Sequence, residues 1–258
     1  MKAIVLSAGQ GKRLLPLTAQ QPKCLLPVDG ELTVLELQLR TLARAGIDRT
    51  TVVVGFGAER VEQFLAATPI PGLEVETLYN PFYATSDNLA TCWLARGCMN
   101  EDFLLINGDT LFEDRLLRRL LDQPPAPISI TIDHKSSYDD DDMKVSIDED
   151  GRLLAIGKTL KPEMVNGESI GLLCFRESGV KAFREVLERT IREPGALKAW
   201  YLSVVNDMAQ DQAVDTISIR GLWWREIDSH EDLLDVRSSR ARLKGAASPS
   251  TASASARS

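Results

Sequence analysis

The residues of this chain whose types and spacing could do chemistry are a glycine pair with two following cations, a lysine ten residues further on, and two distant aspartates. Leu6-Ser7-Ala8-Gly9-Gln10-Gly11-Lys12-Arg13-Leu14 follows directly on the apolar run Ala3 to Leu6, so both glycines fall where a strand tip gives way to a loop. Glycine accepts positive φ and leaves backbone N–H groups uncovered, which lets a phosphate approach the main chain. Lys12 and Arg13 add fixed positive charge there, and Pro22-Lys23 supplies a further ammonium before Leu25-Leu26-Pro27-Val28. On spacing alone an ordinary turn with solvated cations remains open. The pattern is neither the three-glycine dinucleotide fingerprint nor a P-loop closed by Gly-Lys-Ser/Thr.

Transfer of a phosphoryl or nucleotidyl group leaves the protein mainly alignment and charge neutralisation, usually with Mg²⁺. Mg²⁺ takes one or two carboxylates together with phosphate oxygens and water. Carboxylates are therefore expected at strand ends. Asp109 ends the run Phe103-Leu104-Leu105-Ile106-Asn107-Gly108-Asp109, and Asp228 ends Trp223-Trp224-Arg225-Glu226-Ile227-Asp228. Asp109 could instead cap a turn, and Asp228-Ser229-His230-Glu231 has the spacing of a helix capping box. Metal and capping roles are compatible at Asp228, since each needs only one carboxylate oxygen.

These positions need elements to hold them. Apolar runs predict strands at Ala3 to Ser7, Thr51 to Gly55, Glu74 to Tyr79, Phe103 to Asn107 and Ile128 to Asp133; being continuous rather than alternating, they suit strands buried on both faces. Helical periods intervene at Thr33 to Ala45, Ala58 to Ala67, Asn88 to Gly97 and Asp114 to Asp122. Such alternation predicts an α/β fold with a mostly parallel sheet, helices on both faces and ligands beyond the strands' carboxyl ends. The second half reads as short strands at Val145 to Asp148, Arg152 to Ile156 and Ser169 to Phe175, helices at Val180 to Arg192 and Trp200 to Gln210, and late strands at Thr216 to Arg220 and Trp223 to Ile227. One domain over residues 1–245 is expected. From Ala246 the chain is almost without large apolar side chains, which predicts a disordered tail over residues 246–258.

Of the 258 residues 44% are hydrophobic and 26% charged, enough apolar material for one sizeable core. No window is long and apolar enough for a membrane span, so a cytoplasmic location is expected. Cys24, Cys92, Cys98 and Cys174 lack the spacing of zinc or redox motifs and read as free thiols. A net charge of −7 and a pI near 5.1 argue against a nucleic-acid surface. An acidic protein that handles phosphate must concentrate its cations locally.

Beyond the glycines, Leu6, Ala8, Gly9, Gly11, Arg13, Leu14, Pro16, Leu17, Thr18, then Pro22, Lys23, Leu25, Leu26, Pro27 and Val28 form a long pattern with fixed spacing. It resembles the signature of the sugar-nucleotide pyrophosphorylase-like nucleotidyltransferases. The resemblance implies a three-layer, Rossmann-like mixed sheet of the nucleotide-diphospho-sugar transferase type with a small acceptor-binding β insertion. It further implies Arg13 on the β- and γ-phosphates, Lys23 on the α-phosphate, and Asp109 and Asp228 on Mg²⁺. The Gly-Asp after the central strand and the pattern Trp224, Ile227, Asp228, Glu231, Asp232, Leu233 agree with it. Nucleotide-binding residues are then expected at Leu6, Ala8, Gly9, Gly11, Lys12, Arg13, Lys23, Asn80, Ser86, Asp87, Asn88 and Gly108.

The stretch Tyr79-Asn80-Pro81-Phe82-Tyr83-Ala84-Thr85-Ser86-Asp87-Asn88 departs from the sugar-phosphate members. It is similar to the branch containing phosphocholine and 2-aminoethylphosphonate cytidylyltransferases, as are Asp142-Met143-Lys144-Val145, Ile156-Gly157-Lys158 and Gly167-Glu168-Ser169-Ile170-Gly171. The resemblance implies CTP as donor and a small phosphorylated or phosphonate acceptor, with Tyr83, Asp87, Asp142, Lys144, Glu168, Trp200 and Trp224 around it. Carboxylates and aromatic faces suit an ammonium group, although a charge run such as Asp139 to Asp142 is also what a solvated loop looks like. His134 and His230 show no acid-base partner. Two other readings stay open: a pyrophosphorylase for a sugar or inositol phosphate, and a nucleotide-binding module without catalysis. Lys23, Asp109 and Asp228 together speak against the latter. A homodimer is an open expectation.

Overall fold

The computed structural model describes residues 1–239. The tail expected at 246–258, and the end of the expected domain, lie outside those residues. The first half runs β1 (Lys2–Ser7), β2 (Pro27–Asp29), β3 (Leu32–Thr33), α1 (Val34–Arg44), β4 (Arg49–Val54), α2 (Ala58–Ala67), β5 (Glu74–Tyr79), α3 (Asn88–Leu94), β6 (Phe103–Asn107), β7 (Thr110–Phe112) and α4 (Asp114–Leu121). The second half adds β8 (Ile128–Asp133), β9 (Lys144–Ile147), β10 (Leu153–Ile156), β11 (Gly167–Phe175), α5 (Ser178–Thr190), α6 (Leu202–Asp211), β12 (Asp215–Ser218), β13 (Trp224–Glu226) and α7 (His230–Ser238). The helix expected to reach Gly97 ends at Leu94 and tightens into a 3-10 turn over Ala95–Cys98. Two- and three-residue strands such as β3 and β7 are too short to leave a periodic signal.

In the main sheet β5, β4, β1 and β6 lie side by side and parallel. Antiparallel β11 follows, with its carboxyl half between β6 and β8; its first residues pair with β9, which carries β10. Strands buried on both faces explain the unbroken apolar runs. Ile4, Val53 and Leu105 point into one core with Leu89 of α3, Phe183 of α5 and Val205 of α6. Their neighbours Val5, Val52, Val54, Leu104 and Ile106 point into the other, with Leu35 and Leu39 of α1, Val61 of α2 and Leu116 of α4. The result is three layers. Among the described residues no helix is long and apolar enough to cross a membrane.

A smaller core gathers Leu14, Leu26, Val28, Leu111, Trp223, Ile227 and Leu233 from five separate stretches. It ties the glycine-rich loop to β7, β13 and α7, so distant segments meet beneath the expected site.

Strand order reverses between β1 and β6, and the crevice at such a switch point is where ligands bind in open α/β sheets. The two strand tips touch there. Gly108 donates its N–H to Leu6 O at 3.0 Å, and a Cβ on Gly108 would stand 2.3 Å from Ser7 Oγ and 2.6 Å from Leu6 O. Gly108→Ala should therefore cost about 1–3 kcal/mol in urea unfolding through overpacking. Gly97→Ala, where a Cβ meets nothing within 4 Å, should cost no stability. Equal stability of the two variants would refute the close contact.

Candidate active site

The loop after β1 is shaped around one lysine. Gly11 takes φ 73°, and a Cβ there would come within 2.9 Å of Lys23 Cδ, so the Lys23 stem runs where any larger residue would push it aside. Buried Thr18 donates its hydroxyl to Gly11 O at 2.8 Å, and Leu14 is fully buried in the small core. Ala8 O accepts from Phe56 N at 3.0 Å, tying the loop to the tip of β4. Gly9 and Lys12 are exposed at the mouth.

Lys23 Nζ lies 2.8 Å from Asp109 Oδ2 and 2.5 Å from Asp228 Oδ1. Arg13 reaches the other oxygen of Asp228 at 2.5 Å and Asp141 at 2.9 Å. Burial alone would lower the Lys23 ammonium, but the charges and hydrogen bonds of Asp109 and Asp228 outweigh it and hold Lys23 above its usual 10.5. Burial likewise opposes ionisation of Asp228, yet Lys23 and Arg13 keep it below the ordinary 3.8. The carboxylates come from different places. Gln38, buried on α1, donates its amide to Asn107 O at 2.9 Å and Thr110 O at 2.8 Å, clamping the turn that carries Asp109. Ile227 N donates to Asp109 O at 3.1 Å, and Thr110 faces Glu226 in the β7–β13 pair, which brings Asp228 alongside.

That pairing delivers a third carboxylate not singled out in the sequence. Oxygens of Asp109, Glu226 and Asp228 lie within 4.8 Å of one another. Glu226 is open to solvent by surface area, but the crowded cleft desolvates its carboxyl, and with repulsion from Asp109 and Asp228 this pushes it up to about 8. Asp109 Oδ1 is buried and has no hydrogen-bond partner among the described residues. Three oxygens and an orphaned lone pair suit a hard divalent cation. The only sequence signal for Glu226 was its place two residues before Asp228.

The capping box falls one residue later than the spacing suggested. Ser229 is the N-cap of α7, accepting from Asp232 N, and the Asp232 side chain accepts from Ser229 N. This corrects the reading of Asp228 as the cap. Its side chain is free to face Lys23 and Arg13.

The remaining expected residues divide by position. Asn80 is fully buried, its amide donating to Thr91 Oγ1 and accepting from Phe82 N, so it holds the turn rather than facing the crevice. Ser86 donates to Phe82 O, and Asn88 Oδ1 accepts from Tyr201 N, joining α3 to the start of α6. The Asp87 carboxylate makes no capping bond, and Tyr83 lies edge-on to Phe56. Lys144 is buried and donates to Asp139 O and Lys158 O, a strut inside the loop wall rather than a group facing a ligand. Trp224 donates to Asp133 and packs on the core, whereas Trp200 is exposed. Asp142 and Glu168 share Lys135. Lys158 stands over Trp200, 4.8 Å from the ring centre, and 3.5 Å from Asp141.

The central ion pair sets a pH window. Lys23, raised on folding, contributes fully below 10.5 and loses that contribution as pH rises through its folded value. Asp228, lowered on folding, contributes fully above 3.8 and loses it as pH falls through its folded value. Lys23→Met should thus cost about 3 kcal/mol at neutral pH by leaving partly buried carboxylates without their cation. In urea unfolding the deficit should shrink on acidification as those carboxylates protonate, and a deficit independent of pH would refute the pairing.

Comparison with known proteins agrees with this geometry. Residues 2–138 match the family described as Nucleotidyl transferase. The chain is 36% identical over 126 residues, 49% of its length and 20% of the relative's, to CMP-5'-(3-aminopropyl)phosphonate synthase of Streptomyces rubellomurinus. It is 25% identical over 232 residues, 90% of its length and 89% of the relative's, to 2-aminoethylphosphonate cytidylyltransferase of Lancefieldella rimae. It spans between a fifth and about half the length of several other curated relatives and the first of these. The structure of the inositol-1-phosphate CTP transferase from T. maritima superposes with TM-score 0.77 at 24% identity, over 94% of this chain and 96% of that one, a likeness of fold. With the signature loop, the switch-point crevice and a family match over more than half its length, the chain belongs to the nucleotidyl transferase family.

Proposed function

We propose that the protein is a Mg²⁺-dependent cytidylyltransferase that transfers CMP from CTP to a small ammonium-bearing phosphonate or phosphate, such as 2-aminoethylphosphonate or phosphocholine, and releases pyrophosphate. The observation that carries this reading is the Lys23 ammonium at the β1–β6 switch point, held by Asp109 and Asp228 beside Arg13 and the open glycine loop. The acceptor class is supported by relatives named for aminoalkylphosphonates. Carboxylates and the exposed Trp200 on the neighbouring wall suit an ammonium group.

The chemistry needs little from the protein beyond placement. An acceptor oxygen, already ionised at neutral pH, attacks the α-phosphorus, and the bond to the bridging oxygen of the β-phosphate breaks as pyrophosphate leaves. Lys23, rigid over Gly11 and desolvated, stabilises the charge that builds on the α-phosphate. Arg13, half exposed, can exchange its carboxylate partners for the outer phosphates. Asp109, Asp228 and Glu226 would hold Mg²⁺, which supplies charge neutralisation on the triphosphate.

A pyrophosphate-release screen of the four NTPs against 2-aminoethylphosphonate, phosphocholine, glucose-1-phosphate and inositol-1-phosphate tests the reading. CTP with an amine-bearing acceptor should be preferred, and a clear preference for UTP or dTTP with a hexose phosphate would overturn it. Lys23→Ala should lower kcat by about two to three orders of magnitude, as for other preorganised electrostatic contacts; near-normal turnover would remove Lys23 from the mechanism. Asp228→Asn should keep α7 intact, because Ser229 and Asp232 form its cap, yet need far more Mg²⁺ for activity. Full activity of that variant at limiting Mg²⁺ would exclude Asp228 as a ligand.

A further inference from the structure

The acidic pair suited to an acceptor's ammonium already holds one. Lys135 follows the tip of β8, and its Nζ lies 2.6 Å from Glu168 and 3.0 Å from Asp142. Glu168 sits in β11 at 2% exposure, and its Oε1 is buried with no hydrogen-bond partner among the described residues. The fixed half of this clasp therefore has an acceptor to spare. Its cation is different: the Lys135 side chain is 40% exposed and belongs to the irregular connection between β8 and β9. Burial pushes the Glu168 carboxyl up to about 7 and the Asp142 charge adds to that, while the Lys135 ammonium in contact with it favours its ionised form, so the clasp is most stable as an anion when an ammonium occupies it. The candidate aromatic face is filled in the same way, with the Lys158 ammonium over Trp200.

We propose that Lys135 is a specificity-determining residue of the acceptor pocket, its ammonium filling the Glu168–Asp142 clasp in the free protein and giving way to the ammonium of the acceptor. The proposal rests on the reading of the protein as a transferase for ammonium-bearing acceptors. Exchange of one ammonium for another keeps the buried charge paired, and the released Lys135 head returns to water. The competition lowers apparent affinity for the true acceptor, as any occupied competing state does. A neutral tail cannot replace the cation and leaves Lys135 in place. Discrimination then follows from charge.

The test compares wild type, Lys135→Met and Lys135→Arg with 2-aminoethylphosphonate and ethylphosphonate, each measured as substrate or competitive inhibitor at saturating CTP. Lys135→Met should lower the KM for the amine about tenfold by removing the competitor, with kcat preserved. Lys135→Arg, with a stronger bidentate hold on carboxylates, should raise that KM. Constants for ethylphosphonate should not change. A rise in Lys135→Met for both acceptors would mean that the lysine binds the phosphonate and would overturn the proposal. A second readout needs no turnover: ethylammonium chloride, against NaCl at equal ionic strength, should raise the Tm of Lys135→Met but not of wild type or Lys135→Met/Glu168→Gln. No effect on Lys135→Met would also overturn it. If no amine acceptor reacts with any nucleotide, the functional reading fails, while the ethylammonium shift still reports whether the clasp takes a foreign cation.

Discussion

The buried ammonium of Lys23, paired between Asp109 and Asp228, is the interaction around which this structure is arranged. A desolvated charge has to be paired, and its partners have to be held where they cannot drift. Each arrives on its own support. The lysine runs over Gly11, Asp109 hangs from a turn clamped by Gln38, and Asp228 is carried by the β7–β13 pair and the start of α7. The small core of Leu14, Leu26, Leu111, Ile227 and Leu233 fastens these supports together, so apolar packing sets the geometry of the charges.

The same region is rich in opposite charges that answer one another. In the free protein Arg13 answers Asp141 and Asp228, Lys135 answers Glu168 and Asp142, and Lys158 lies over Trp200. Groups suited to phosphate or to an ammonium neutralise one another across the crevice. An acidic chain of net charge −7 can thus keep a cationic site without a large unpaired positive patch. Under the proposed function, ligands would enter by exchanging partners, which would limit affinity but make it sensitive to ligand charge.

Much of the architecture was legible in the sequence because the underlying signals are local. β5, β6, β8 and α2 have the limits that their apolar runs and helical period indicate, since a strand buried on both faces and an amphipathic helix each impose their own repeat. The glycine loop, Lys23, Asp109 and Asp228 were singled out by residue type, by their places at strand ends and by the long signature pattern, and the structure brings the three charges together. The helix cap misread by one residue shows where local reading fails. Asp228 and Ser229 are both good caps by type, and what separates them is that Asp228 faces Lys23 and Arg13, side chains some two hundred positions away. Gln38 and Lys135 carried no signal, and Glu226 only its place two residues before Asp228, for the same reason: their roles exist only through partners from other elements. The sequence by itself therefore determined the layers, the glycine-rich loop and the identity of the central charges. Only the tertiary structure decided which carboxylate answers which cation, because that depends on distances between segments that meet only once the shared cores are packed.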